Sequence, residues 1–130
     1  MQDIIEMLKE KPYFYSGKGV SAEQIENSER ELNVKFATDY REYLLQLGVA
    51  SCGGHELTGI CSGPAINVTD VTKKNRLENP EGTGAMYVIE DAHIDSIVIW
   101  QDSAGKIYQT GYRTKPVQVY KSLKDYISAF

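Results

Sequence analysis

Between Arg76 and Lys106 the sequence contains no lysine or arginine, yet it carries Glu78, Glu81, Glu90, Asp91, Asp95 and Asp102. Taken singly, each is an ordinary solvated surface charge, because ionised side chains seldom leave water unpaired. Taken together they make a local acidic field, which steers a basic partner and raises its association rate. The densest part, Glu90-Asp91-Ala92-His93-Ile94-Asp95, reads as a loop between two strands that presents several charges at once. Trp100 and Tyr108 add the residue types that most often anchor a protein interface. Trp100 is flanked by Ile97, Val98 and Ile99, which favours a core or half-buried sheet position over an exposed one. The partner-binding candidates are therefore Glu78, Glu81, Glu90, Asp91, His93, Asp95, Trp100, Asp102 and Tyr108.

Metal and catalytic chemistry have weaker claims. Cys52-Gly53-Gly54-His55 followed by Cys61 offers three zinc-type ligands, with His93 as a fourth. Structural zinc sites pair their ligands on both sides of the spacing, whereas Cys61 has no near partner, and the two glycines fit a simple turn. No metal and no cofactor is expected. Dinucleotide-binding and phosphate-loop glycine motifs, a serine nucleophile elbow and a His-Glu-x-x-His run are all absent from the sequence. Asp91 and His93 with a serine would need a geometry that adjacency in sequence does not supply. The chain reads as a binding protein with no catalytic residue.

Residues 21–48 are the scaffold on which these groups depend. Ser21 with Gln24 is a capping-box pair, and Thr38 with Asp39 opens a second helix that Gly48 closes. Ala22, Ile25 and Leu32 share a side of the first helix; Tyr40, Tyr43, Leu44 and Leu47 form the apolar stripe of the second. Ahead of them, Asp3 caps a short helix that runs to Lys11 and stops at Pro12, and Tyr13-Phe14-Tyr15 is an aromatic cluster expected to cover the helix pair. Residues 49–54 form a hinge.

The pattern then turns to strands, at residues 55–60, 86–90, 97–101, 106–109 and 117–120. A helix from Asn67 or Thr69 to Arg76 interrupts them, with Val68 and Val71 inward. Asp102-Ser103-Ala104-Gly105 is a hairpin turn, and Ser122 caps a last helix carrying Leu123, Tyr126, Ile127 and Phe130. The expected class is α+β: one domain over residues 1–130, with an antiparallel sheet of four to five strands and the N-terminal and C-terminal helices packed on one side of it.

Composition agrees with one soluble domain. The chain has 130 residues, 42% apolar and 25% charged, with nine tyrosines. A net charge of −4 and a pI near 5.2 argue against direct nucleic-acid binding, which rests on neutralising phosphates. No apolar run approaches a membrane span, no signal peptide is visible at residues 1–10, and two cysteines are too few for a disulfide scaffold, so a cytoplasmic protein with reduced thiols is expected.

The order of motifs resembles the SUKH superfamily. The matching residues are Ile25 and Glu29, the run Glu31-Leu32-Asn33-Val34-Lys35-Phe36, then Asp39-Tyr40-Arg41-Glu42-Tyr43-Leu44. Ile97-Val98-Ile99-Trp100-Gln101-Asp102 with Gly105, the strand at Tyr108, and Ser122-Leu123-Lys124-Asp125-Tyr126-Ile127 follow in order. The family's usual Leu-Pro is replaced here by Phe36-Ala37, and its Gly-Gly is displaced to Gly53-Gly54. The resemblance implies binding without catalysis: in bacteria, a cytosolic immunity protein that docks on the C-terminal domain of a cognate toxin, often a nuclease. An alternative is an intracellular regulatory or scaffolding module, as in the yeast cell-wall-synthesis regulators. The strand at residues 117–120 leaves monomer and weak dimer both open.

Overall fold

The computed structural model describes residues 3–130. Helix α1 spans Ile4–Glu10 and is capped by Asp3, whose carboxylate accepts from the Glu6 N–H at 2.9 Å. Helix α2, Ala22–Leu32, has both halves of the capping box: the Gln24 N–H donates to Ser21 Oγ at 3.2 Å and the Ser21 N–H to Gln24 Oε1 at 3.0 Å. Helix α3 spans Thr38–Leu47. Its cap is Ala37, without a side-chain hydrogen bond, and Thr38 is the first helical residue instead of the expected cap. The Ala37 N–H is satisfied by the Tyr87 hydroxyl at 2.8 Å, a tertiary partner that replaces a local one.

The expected hinge is a hairpin. Strand β1, Tyr15–Ser16, pairs with β2, Ala50–Cys52, which pairs through Gly53 and Gly54 with β3, His55–Glu56. Helix α4, Val68–Glu78, starts at the Asn67 cap and buries Val68 and Val71. A second antiparallel sheet follows in simple order: β4 Met86–Asp91, β5 Val98–Asp102, β6 Ile107–Thr110 and β7 Val117–Tyr120. Helix α5, Leu123–Ser128, closes the chain from its Ser122 cap. The α+β class holds, with its strands divided between a three-stranded and a four-stranded sheet.

Helices cover both faces of the larger sheet, not one. Tyr87, Ile89, Ile99 and Ile107 join the main core with residues of α1, α2, α3 and α5. Met86, Val88, Val98 and Trp100 face the opposite way, against Val71 of α4. Burial on both faces is why β4 reads as a continuous apolar run without alternation. The two sheets meet at Thr58, whose N–H donates to Ile89 O at 2.8 Å and whose hydroxyl donates to Val88 O at 2.7 Å.

The tyrosines of the main core each hold a buried hydroxyl partner. Tyr40 OH bonds Thr58 Oγ1, Tyr43 OH donates to Thr58 O and accepts from the Ala50 N–H, and Tyr87 OH donates to Gln101 Oε1. Of the expected aromatic cluster, only Phe14 packs on the core, while Tyr13 and Tyr15 are exposed. Glu29 is buried too, accepting from the Phe36 N–H at 2.8 Å and from Arg41 at 3.2 Å. It thereby fixes the link between α2 and α3.

Candidate functional site

Two loops lock together over the α4 side of the larger sheet. Half-buried Arg76 donates from Nη2 to Met86 O at 2.9 Å and Gly84 O at 3.2 Å, holding the loop after α4 against the start of β4. The turn after β6 is closed by the Gly111 N–H on Thr114 Oγ1, and the Thr114 N–H donates to Asn79 Oδ1 at 3.1 Å. Two depressions flank this junction. One, of about 660 Å³, is lined by Glu81, Met86, Asp102, Tyr108, Lys115 and Pro116. The other, about 400 Å³, is lined by Leu77, Glu78, Pro80, Glu81, Arg113 and Lys115. Glu81 and Lys115 belong to both and pair at 3.6 Å; both are so exposed that the pair adds little stability. Leu77 is 86% exposed, an apolar side chain with no role in the core.

Three of the sequence candidates therefore converge on one depression: Glu81, Asp102 and Tyr108. Tyr108 OH donates to Asp102 Oδ2 at 2.9 Å, while Asp102 Oδ1 accepts the Ala104 and Lys106 N–H groups and shapes the β5–β6 turn. Desolvation, reinforced by the bond to the neighbouring Asp102 carboxylate, holds the Tyr108 phenol above its ordinary range. It remains a protonated donor beside a carboxylate at neutral pH. Glu78 joins through the second depression.

Asp91, His93 and Asp95 lie at the other end of the β4–β5 hairpin, since Met86 pairs with Asp102 whereas Asp91 pairs with Val98. His93 and Asp95 are exposed, and Asp91 is half-buried, with Oδ1 accepting the His93 N–H at 3.0 Å.

Glu90 and Trp100 are inside. Glu90 belongs to β4 rather than to a loop, and is 5% exposed. The β4–β5 register shifts between Val88 and Glu90, which sets Glu90 opposite Ile99 and so on the main-core face. There it accepts from Tyr126 OH, from the Glu56 N–H at 3.3 Å, and bonds His55 Nδ1 at 3.0 Å. The His55 ring stacks on Phe130, centroids 3.8 Å apart. Trp100 is fully buried and donates from Nε1 to Thr110 Oγ1 at 2.9 Å. Both residues hold the sheet from within.

Cys52, His55, Cys61 and His93 are not gathered into a ligand set: among the described residues no three His, Cys, Asp or Glu side chains are arranged to hold a metal ion. Burial pushes the Cys52 thiol up, against the pull of Lys11 and with a further push from Glu90, so it is a poor nucleophile at neutral pH.

Sequence reading missed the basic lining. Residues 103–124 contain Lys106, Arg113, Lys115, Lys121 and Lys124 and no acidic residue, a signal as legible as the acidic stretch before it. Leu77, Met86 and Pro116 gave no such signal, because isolated apolar residues ordinarily belong to the core.

A family model, SUKH_5, described as SMI1-KNR4 cell-wall, matches residues 1–128. No curated protein matches the chain.

Proposed function

The chain belongs to the SUKH_5 family, SMI1-KNR4 cell-wall, and on that premise we propose that it is an immunity protein. It docks on the C-terminal catalytic domain of a cognate toxin and blocks substrate access by steric and electrostatic occlusion, without a cofactor. The observation that carries this reading is the depression where Glu81, Asp102 and Tyr108 meet beside exposed Leu77. Tyr108 and Leu77 supply aromatic and apolar surface, and the carboxylates Glu78, Glu81 and Asp102 outnumber the cations Arg113 and Lys115 in the two linings, which suits a partner whose own surface is basic. A nuclease domain has such a surface, because it must hold a phosphate backbone. Glu78 extends the acidic rim, and Asp91, His93 and Asp95 supply a second charged loop at the far end of the hairpin. The cytoplasm is the compartment in which such a partner would be met, and among the described residues no helix is long and apolar enough to cross a membrane.

The test is co-expression with the toxin domain encoded immediately upstream, and mixing of the purified pair. Protection of the cells and a stable 1:1 complex are expected; failure to protect ends the proposal. The triple variant Glu78→Lys, Glu81→Lys, Asp95→Lys alters only exposed side chains. It should slow association roughly tenfold at low salt, with the difference shrinking as salt screens it. Unchanged, salt-independent association would take these acids out of the interface.

The cell-wall description of the family supports a second reading, a regulatory module that recruits a host protein. A gene with no toxin-like neighbour favours it.

A further inference from the structure

Strand β7 is the free edge of the larger sheet. It pairs with β6 on one side only, through Tyr120 with Ile107, Gln118 with Tyr108 and Val117 with Gln109. Among the described residues the backbone groups it turns outward have no backbone partner. The sheet's opposite edge is different, because Thr58 bonds to Ile89 O and Val88 O along β4. Val117 and Val119 on β7 are 64% and 40% exposed. An open ladder with exposed apolar side chains is a template for another strand.

The charge around this edge selects what can add to it. Arg113 and Lys115 precede β7, Lys121 and Lys124 follow it, and no acidic residue occurs anywhere in residues 103–124 of a chain whose net charge is −4. We infer that β7 is a docking edge for an extended, acidic segment of another protein, which adds as a fifth strand with carboxylates reaching Lys115 and Lys121. A second copy of this chain fits the same edge poorly. Antiparallel pairing of two β7 strands brings Lys121 of one copy towards Lys115 of the other, and like charges across a ladder repel. Pro116, the flanking lysines and the bulge at Val119 are the usual guards against self-pairing, and the lysines among them turn into attraction when the incoming strand is acidic. Lys115 and Lys121 lie six positions apart, roughly 20 Å in extended chain, so the incoming carboxylates should also stand about six residues apart. Lys115 and Pro116 also line the depression assigned to toxin docking, where Lys115 meets Glu81, but none of Val117–Tyr120 lines it, so strand addition at β7 does not depend on that assignment.

The probe is the blocked peptide Glu-Thr-Val-Thr-Val-Thr-Glu added to ¹⁵N-labelled full chain. Binding should shift the amide resonances of Val117–Tyr120 and slow their hydrogen exchange. It should weaken at least tenfold when the two valines of the peptide are replaced by proline, which keeps the charge and removes ladder donors. The variant Lys115→Glu, Lys121→Glu changes two exposed side chains and should lose the acidic peptide while binding its lysine-ended counterpart. Equal binding by the proline peptide would reduce the effect to plain charge attraction and overturn the inference. No shift at millimolar peptide would do the same, as would concentration-dependent protection of Val117–Tyr120 without peptide, which would make a second copy the occupant.

Discussion

Replacing Glu90 by alanine tests whether this acid is an interface charge or an internal tie. Its carboxylate joins three elements: β4, on which it sits, β3 through His55 and the Glu56 N–H, and α5 through the Tyr126 hydroxyl. Truncation strands the hydroxyl of Tyr126, a buried residue, at a cost of about 1–3 kcal/mol. His55 is partly exposed and recovers water, so its loss, with that of the Glu56 N–H, adds only about 1 kcal/mol more. Desolvation of Glu90 itself is relieved, which lowers the total again. The net expectation is about 2 kcal/mol, or roughly 7 °C in Tm for a chain of this length. Glu90→Gln keeps an acceptor for Tyr126 and should lose about 1 kcal/mol. Urea unfolding followed by far-UV circular dichroism measures all three proteins, and the double variant with Tyr126→Phe should fall short of additivity by about 1–2 kcal/mol. A Glu90→Ala protein within 0.5 kcal/mol of the parent would refute the reasoning.

Alkaline pH should destabilise the protein through its buried tyrosines. Burial raises the phenols of Tyr40, Tyr43, Tyr87 and Tyr126 above the ordinary value of 10.0. The unfolded chain releases these protons first, so the stabilisation is intact below about pH 10 and falls above it by about 1.4 kcal/mol per pH unit for each tyrosine. Urea midpoints measured from pH 8 to pH 11 that stay level would contradict this. Gly48→Ala should cost more than the roughly 1–2 kcal/mol of a left-handed backbone alone, because at φ 71° an added Cβ would meet Lys18 O at 2.2 Å. An unchanged urea midpoint for that variant would argue against the close approach of the two segments.

Features that depend only on near neighbours in the chain were legible in the order of residues itself. The Ser21–Gln24 box, the Asn67 and Ser122 caps and the β5–β6 turn all appear where their residue types demanded. So did the edge strand Val117–Tyr120 and a buried Trp100. Of the strand expected at residues 55–60 only His55–Glu56 pairs, as β3, while β1 and β2 are two and three residues long and rest on pairing between Tyr15 and Ser51 and between Ser51 and Glu56. No local propensity announces β1 or β2. Thr38 had the composition of a cap, but the helix starts one residue earlier, with Ala37 as its cap and the Ala37 N–H held by the Tyr87 hydroxyl from β4.

The order of residues sets the helices, the strands of the larger sheet, the family and the separation of an acidic stretch from a basic one, because these follow from residue type and short-range spacing. Tertiary structure decided which charges meet water. One extra residue in the β4–β5 register turned Glu90 into the core against Tyr126, whereas the junction of two loops left Glu81, Asp102 and Tyr108 around one open depression. A side chain's face in a sheet depends on its partner strand's register, and that is a property of pairing that no single stretch of chain contains.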